Sequence, residues 1–90
     1  MTYWVYILAS KPGGTLYVGV TNNLRASRRL GGELYQKYDI KTLVYFEVHD
    51  TLAAALQREK NIKHWSREWK IDLIIAGNPD WKDLYEEIVR

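Results

Sequence analysis

Aromatic and β-branched residues fill Tyr3 to Ala9 (YWVYILA), which predicts a strand. Lys11-Pro12-Gly13-Gly14 has turn chemistry, and Leu16 to Val20 predicts a second strand, so the N-terminus should close into a β-hairpin. With a loop of four residues, Ser10 faces Thr15, Leu8 faces Tyr17 and Tyr6 faces Gly19. The period of two then sets the Tyr6 and Tyr17 side chains on one face of the sheet. Gly19, lacking a side chain, should leave open space beside the Tyr6 ring. A slip of one residue would separate the two tyrosines, so the turn length decides the point.

Asn22 or Asn23 can cap a helix, and Leu24 to about Leu30 has helical composition until Gly31-Gly32 breaks it. Leu34 to Lys41 reads as irregular. Thr42 to His49 predicts a third strand, Leu43, Tyr45 and Glu47 alternating against Val44, Phe46 and Val48. Asp50-Thr51 supplies an N-cap for a helix from Leu52 to about Trp65, with Leu52, Ala55, Leu56, Ile62 and Trp65 on one face. Glu59 falls in the middle of that apolar stripe. Ser66 or Arg67 opens a further helix through Ala76, ended by Gly77. After the Asn78-Pro79 turn, Asp80 should cap a last helix from Trp81 to Val89, with Trp81, Leu84, Tyr85 and Ile88 inward. The order β-β-α-β-α-α describes a small α+β fold. Its short, mainly antiparallel three-stranded sheet is flanked by helices within a single domain over residues 1–90.

Ninety residues allow a modest core, and the absence of cysteine excludes both a disulfide framework and a thiolate metal site. No apolar run approaches the roughly 20 residues of a membrane span, and the start lacks the basic head of a secretory signal. A soluble, cytoplasmic protein with no membrane partner is expected. The net charge of +2 conceals a division. Residues 25–41 hold five bases against two acids, residues 56–70 again five against two, and residues 72–90 two bases against five acids. Two basic segments beside an acidic end suit a polyanion on one surface, although solvated helix faces would give the same count.

Glu59 is the residue hardest to assign to structure. A carboxylate on an inward helix face needs a cation, a hydrogen bond or a metal. Pairing with Arg58, Lys63 or an arginine of the first helix satisfies it. So does a hard divalent cation completed by water and substrate phosphate. Tyr6 and Tyr17 suit a half-buried strand as they stand, and a phenol becomes a base only where neighbouring positive charge favours phenolate. His49 and His64 lack ligand spacing and read as surface or capping residues. Trp65, Trp69 and Trp81 should pack the helices, with an exposed ring free to stack on a base.

Together, VYIL at Val5–Leu8, LYVGVTNNL at Leu16–Leu24 and the downstream REK at Arg58–Lys60 resemble the signature of the GIY-YIG nuclease domain. LVYFE, REKNIKHW and NPDWKDLYEE extend the likeness to short, stand-alone bacterial members over nearly the whole chain. The resemblance implies hydrolysis of nucleic-acid phosphodiesters with a single Mg²⁺ or Mn²⁺. Tyr17 would be the general base, Tyr6 would position it or the attacking water, Glu59 would hold the metal, and Gly19 would keep the backbone close and clear. Asn78 matches an asparagine that follows the helices in related domains, and equally suits a turn before Pro79.

The first helix departs from the family pattern, in which an arginine serves the phosphate and a histidine or tyrosine follows one turn later. Ser27 and Gly31 occupy those positions in one alignment, and in another about a turn and a half is missing. Arg25, Arg28 or Arg29 would then have to grip the phosphate, which a guanidinium fork can do from several backbone positions. Arg28, Arg29, Lys37, Lys60, Lys63 and Arg67 are the expected nucleic-acid contacts, DNA being the expected partner through backbone and shape rather than long sequence. The oligomeric state is unknown. The alternative reading is a catalytically impaired nuclease fold that binds nucleic acid without turnover.

Overall fold

The computed structural model describes residues 1–24 and 42–85. The sheet has three strands, β1 (Tyr3–Ala9), β2 (Leu16–Thr21) and β3 (Thr42–His49), in the order β2-β1-β3. Both pairings are antiparallel. Two helices follow, α1 (Leu52–His64) and α2 (Arg67–Gly77). The expected first helix, with Arg25, Arg28 and Arg29, and the irregular segment with Lys37 lie outside the described residues, as does the chain beyond Tyr85.

The hairpin register follows from its turn. Tyr6 pairs with Gly19 and Leu8 with Tyr17, while the Ser10 amide donates to the Thr15 carbonyl at 3.1 Å. Gly13 takes φ 73°, a conformation that favours glycine. Alternation then divides the sheet. Val5, Ile7 and Ala9 are fully buried on the face covered by the helices, where Ala55 and Ile62 of α1 and Ile74 of α2 meet them. Leu8 packs on the opposite face with Leu24, Leu43 and Tyr85, flanked by Trp4, Tyr6, Tyr17 and Phe46.

Strict alternation fails in β3. Ile7 pairs with Tyr45 but Leu8 pairs with Leu43, so Val44 is an extra residue at a β-bulge. Consequently Leu43 packs on the same face as Phe46, while Val44 and Tyr45 both pack on the helix-covered face. The expected grouping of Leu43 with Tyr45 is therefore corrected by the register shift.

Both helix starts have the caps their sequences suggest. Thr51 Oγ1 accepts from the Ala54 amide at 3.1 Å, and Ser66 Oγ from the Trp69 amide at 3.2 Å. The rotation of α1 differs from expectation: Ala55 and Ile62 are buried, but Leu52 and Leu56 stay 46% and 47% exposed. Its orientation is fixed by Arg58, whose Nε donates to Glu47 Oε1 of β3 at 2.9 Å and whose guanidinium lies 4.9 Å from the Trp65 ring centre.

The last segment is also corrected. Trp81 has φ 55°, Trp81 to Asp83 are not helical, and Asp83 rather than Asp80 acts as the cap. Its Oδ1 accepts from the Tyr85 amide at 3.1 Å and from the Leu43 amide at 3.3 Å. Asp83 wins because it serves two donors at once, one of them on the sheet. Asn78, 5% exposed, locks this turn: its side-chain amide donates to the carbonyls of Val44 and Lys82, and its Oδ1 accepts from the Lys82 amide. The asparagine after the helices is thus a buried strut between α2, β3 and the chain end.

Candidate active site

Tyr6 and Tyr17 share the sheet face that α1 and α2 do not cover, as the hairpin register requires. Gly19 sits opposite Tyr6 on β2, an edge strand. The space above it is filled, contrary to expectation. A Cβ built on Gly19 would lie 2.5 Å from both Cζ and Oη of Tyr6, so the phenol lies directly over the glycine. Only a residue without a side chain lets the ring cross the edge strand there.

That placement brings Tyr6 under the influence of two other groups. Its pKa is raised above the ordinary 10.0, first by burial, then by Tyr85 and then by the Glu59 carboxylate. Glu59 belongs to the helix on the opposite face, yet its charge reaches a phenol that leans over the sheet edge. The Tyr6 proton is therefore held firmly through neutral pH, which makes this phenol a hydrogen-bond donor. Tyr85, 1% exposed, is a neighbour of Tyr6 that the sequence marked only as a core residue. Its helical spacing signals burial but gives no hint of which strand it meets.

Glu59 lies between Ala55 and Ile62 on the inward stripe of α1, with its side chain 20% exposed. Lys63 Nζ stands 3.2 Å from Oε1, and Lys63 is itself 51% exposed. An exposed i,i+4 pair of this kind contributes only about 0.3–0.5 kcal/mol. The ammonium marks a place where the carboxylate already accepts a cation, and it can swing into solvent at little cost. Among the described residues no group of three His, Asp or Glu could form a metal cage. One accessible carboxylate does suit Mg²⁺ or Mn²⁺ that keeps its waters and takes further oxygens from substrate phosphate.

The remaining expected contacts separate into two kinds. Lys60 is exposed on α1. Arg67 is committed elsewhere: its Nη2 donates to the carbonyls of Gly13 and Gly14, the second at 2.6 Å, bracing the hairpin turn against α2. His49 Nε2 meets Glu47 Oε2 at 3.1 Å, and His64 Nδ1 donates to the Lys60 carbonyl at 2.7 Å, in keeping with their structural reading.

Residues 2–72 match the GIY-YIG catalytic domain. The chain belongs to the GIY-YIG family. It is similar to a UPF0213 protein of Staphylococcus saprophyticus, 35% identical over 80 residues, which cover 83% of this chain and 96% of that protein. The fold is similar to the solution NMR structure of a UPF0213 protein from Bacillus halodurans, with a TM-score of 0.57 and 24% identity. That alignment covers 92% of this chain and 93% of the other. Membership places the chain among short bacterial GIY-YIG proteins of a nuclease family with a common α+β fold.

Proposed function

We propose that this GIY-YIG protein is a metal-dependent endonuclease that hydrolyses DNA phosphodiesters, directed by backbone and structure rather than by long sequence. The observation that carries the reading is the Tyr6 phenol, held over Gly19, beside Tyr17 on one sheet face and within the field of Glu59. Tyr6 keeps its proton and donates a hydrogen bond that orients the attacking water. Tyr17 takes the proton from that water as it attacks phosphorus. Glu59 would hold Mg²⁺ or Mn²⁺, with Lys63 giving way, and a cation there would supply charge to neutralise the phosphate and the leaving oxygen. Arg25 or Arg28 supplies the phosphate grip in place of the family's usual arginine, and Lys60 adds to the non-specific attraction for the polyanion. A small protein doing this work on DNA would act in the cytoplasm.

The second reading, a nuclease fold that binds without cutting, is favoured by two observations. In one alignment Ser27 and Gly31 stand where the family has arginine and histidine, and in the structure Lys63 already neutralises Glu59. One experiment separates the two. Branched and single-stranded DNA is incubated with the purified protein and Mg²⁺ or Mn²⁺, beside Glu59→Ala. Cleavage by the parent that the variant lacks supports the enzyme. Equal background in both, with salt-sensitive binding intact, leaves the binding module.

A further inference from the structure

Trp69 is a large apolar ring left 59% exposed in the first turn of α2, in a segment whose charge is positive. Its neighbour Trp65 is packed against the core, so it is a fixed wall. The two indoles meet edge to face, centroids 5.8 Å apart and planes at 78°. They form a corner. The corner opens into a depression of about 490 Å³ lined by Trp65, Trp69, Asp72 and Leu73. Trp65 also lines a second depression of about 410 Å³, with Arg58, Lys60, Asn61 and His64 among others.

The two hollows share one tryptophan and differ in chemistry. The first offers a flat aromatic surface, an anchored edge and one carboxylate. The second is polar and basic. A planar heterocycle joined to a phosphate matches both: the ring lies on Trp69 against Trp65, and the phosphate falls towards Lys60 and His64. Asp72 can accept a hydrogen bond from an exocyclic amino group, the donor that cytosine, adenine and guanine carry. Arg58 adds positive charge behind Trp65 although its Nε is held by Glu47. An apolar protein partner would find the Trp69 ring acceptable but not the polar depression next to it, with Lys60, Asn61 and His64.

We propose that the Trp65–Trp69 corner is a stacking platform for an unpaired base of single-stranded nucleic acid, separate from the Tyr6–Tyr17–Glu59 site. The platform deepens the nucleic-acid reading above and rests on it for the class of polymer. It selects substrates with unstacked bases, such as forks, branches and loops, because a base inside a duplex presents no open face to an indole.

The test is metal-free binding, measured by fluorescence anisotropy with a labelled mixed-sequence single strand and a duplex of the same length. Trp69→Ala should weaken single-strand binding by about tenfold or more, the loss typical of one stacked base, and leave duplex binding within about twofold. Trp69→Phe, which keeps an aromatic face, should recover most of the affinity. Circular dichroism of both variants should match the parent, since the ring is exposed. Three results would overturn the platform: no change in single-strand binding, an equal loss on both ligands, or a parent whose Trp69-dependent property is self-association in ultracentrifugation. The active site is tested separately. Glu59-dependent cleavage with Trp69-independent binding removes the platform alone. Trp69-dependent binding without Glu59-dependent cleavage keeps the platform and removes the nuclease.

Discussion

The two faces of this sheet are built from the same three strands and do different work. The helix-covered face is aliphatic at its centre, with Val5, Ile7, Ala9, Val44, Ala55, Ile62 and Ile74 at 0% exposure and Tyr3, Tyr45, Trp65 and Trp81 partly buried around them. On this side the Glu47–Arg58 pair at 2.9 Å ties α1 to β3. The opposite face is aromatic and phenolic: Trp4, Tyr6, Tyr17, Phe46 and Tyr85 surround Leu8 and Leu43. Aliphatic packing on one side supplies the rigidity that lets the other hold polar groups in a strained-for-space arrangement, with a ring pressed over a glycine.

Substitutions on the two faces should therefore separate stability from activity. Ile62→Ala, on the helix-covered face, should cost about 2–5 kcal/mol of stability in a denaturant titration. Cleavage per folded molecule should change little. Gly19→Ala should lower stability less and turnover far more. Its new methyl meets the Tyr6 ring at 2.5 Å, so the ring must move. The expected stability loss is about 1–3 kcal/mol. Displacing a positioning group by about an ångström can lower turnover about 10²-fold, which a single-turnover assay would read. If Ile62→Ala damaged turnover more than Gly19→Ala did, the division of labour between the faces would be wrong.

The smallest effect concerns pH. The folded pKa of Tyr6 lies above its ordinary value of 10.0, mainly through burial. Below pH 10 both folded and unfolded forms keep this proton, and the stabilisation is complete. As the pH rises above 10 the unfolded phenol ionises first, so the unfolded state binds fewer protons and stability falls until the folded pKa is passed. Tyr6→Phe should make the alkaline loss of stability shallower, as followed by melting temperatures across that window. Unchanged slopes would show that Tyr6 is not held as described.

The placement of the candidate site's residues was legible in the sequence wherever local chemistry settles the geometry. The four-residue turn at Lys11–Gly14 fixed the Tyr6–Gly19 pairing, and Thr51 and Ser66 announced their helices through side-chain capping. Glu59 on the inward stripe followed from helical spacing alone. What could not be read depends on partners distant in the chain. The bulge at Val44 exists only against β1, and the rotation of α1 that exposes Leu52 and Leu56 is set by Glu47 on another strand. Asp83 displaces Asp80 as a cap because the Leu43 amide is forty residues away and beside it. The sequence placed Gly19 beside Tyr6 but suggested open space there, and the fold fills that space with the Tyr6 ring itself. Arg25, Arg28, Arg29 and Lys37 fall outside the described residues, so the phosphate grip still rests on the sequence.

The central claim is that the phenolic face and Glu59 form one cation-accepting crevice. Titrating Mn²⁺ into the ¹⁵N-labelled protein and mapping the paramagnetic loss of amide signals tests it without requiring turnover. The account predicts early broadening at residues 17–19 and around Glu59, abolished in Glu59→Gln. Broadening centred instead on Asp80 and Asp83, or a pattern that Glu59→Gln leaves unchanged, would contradict it.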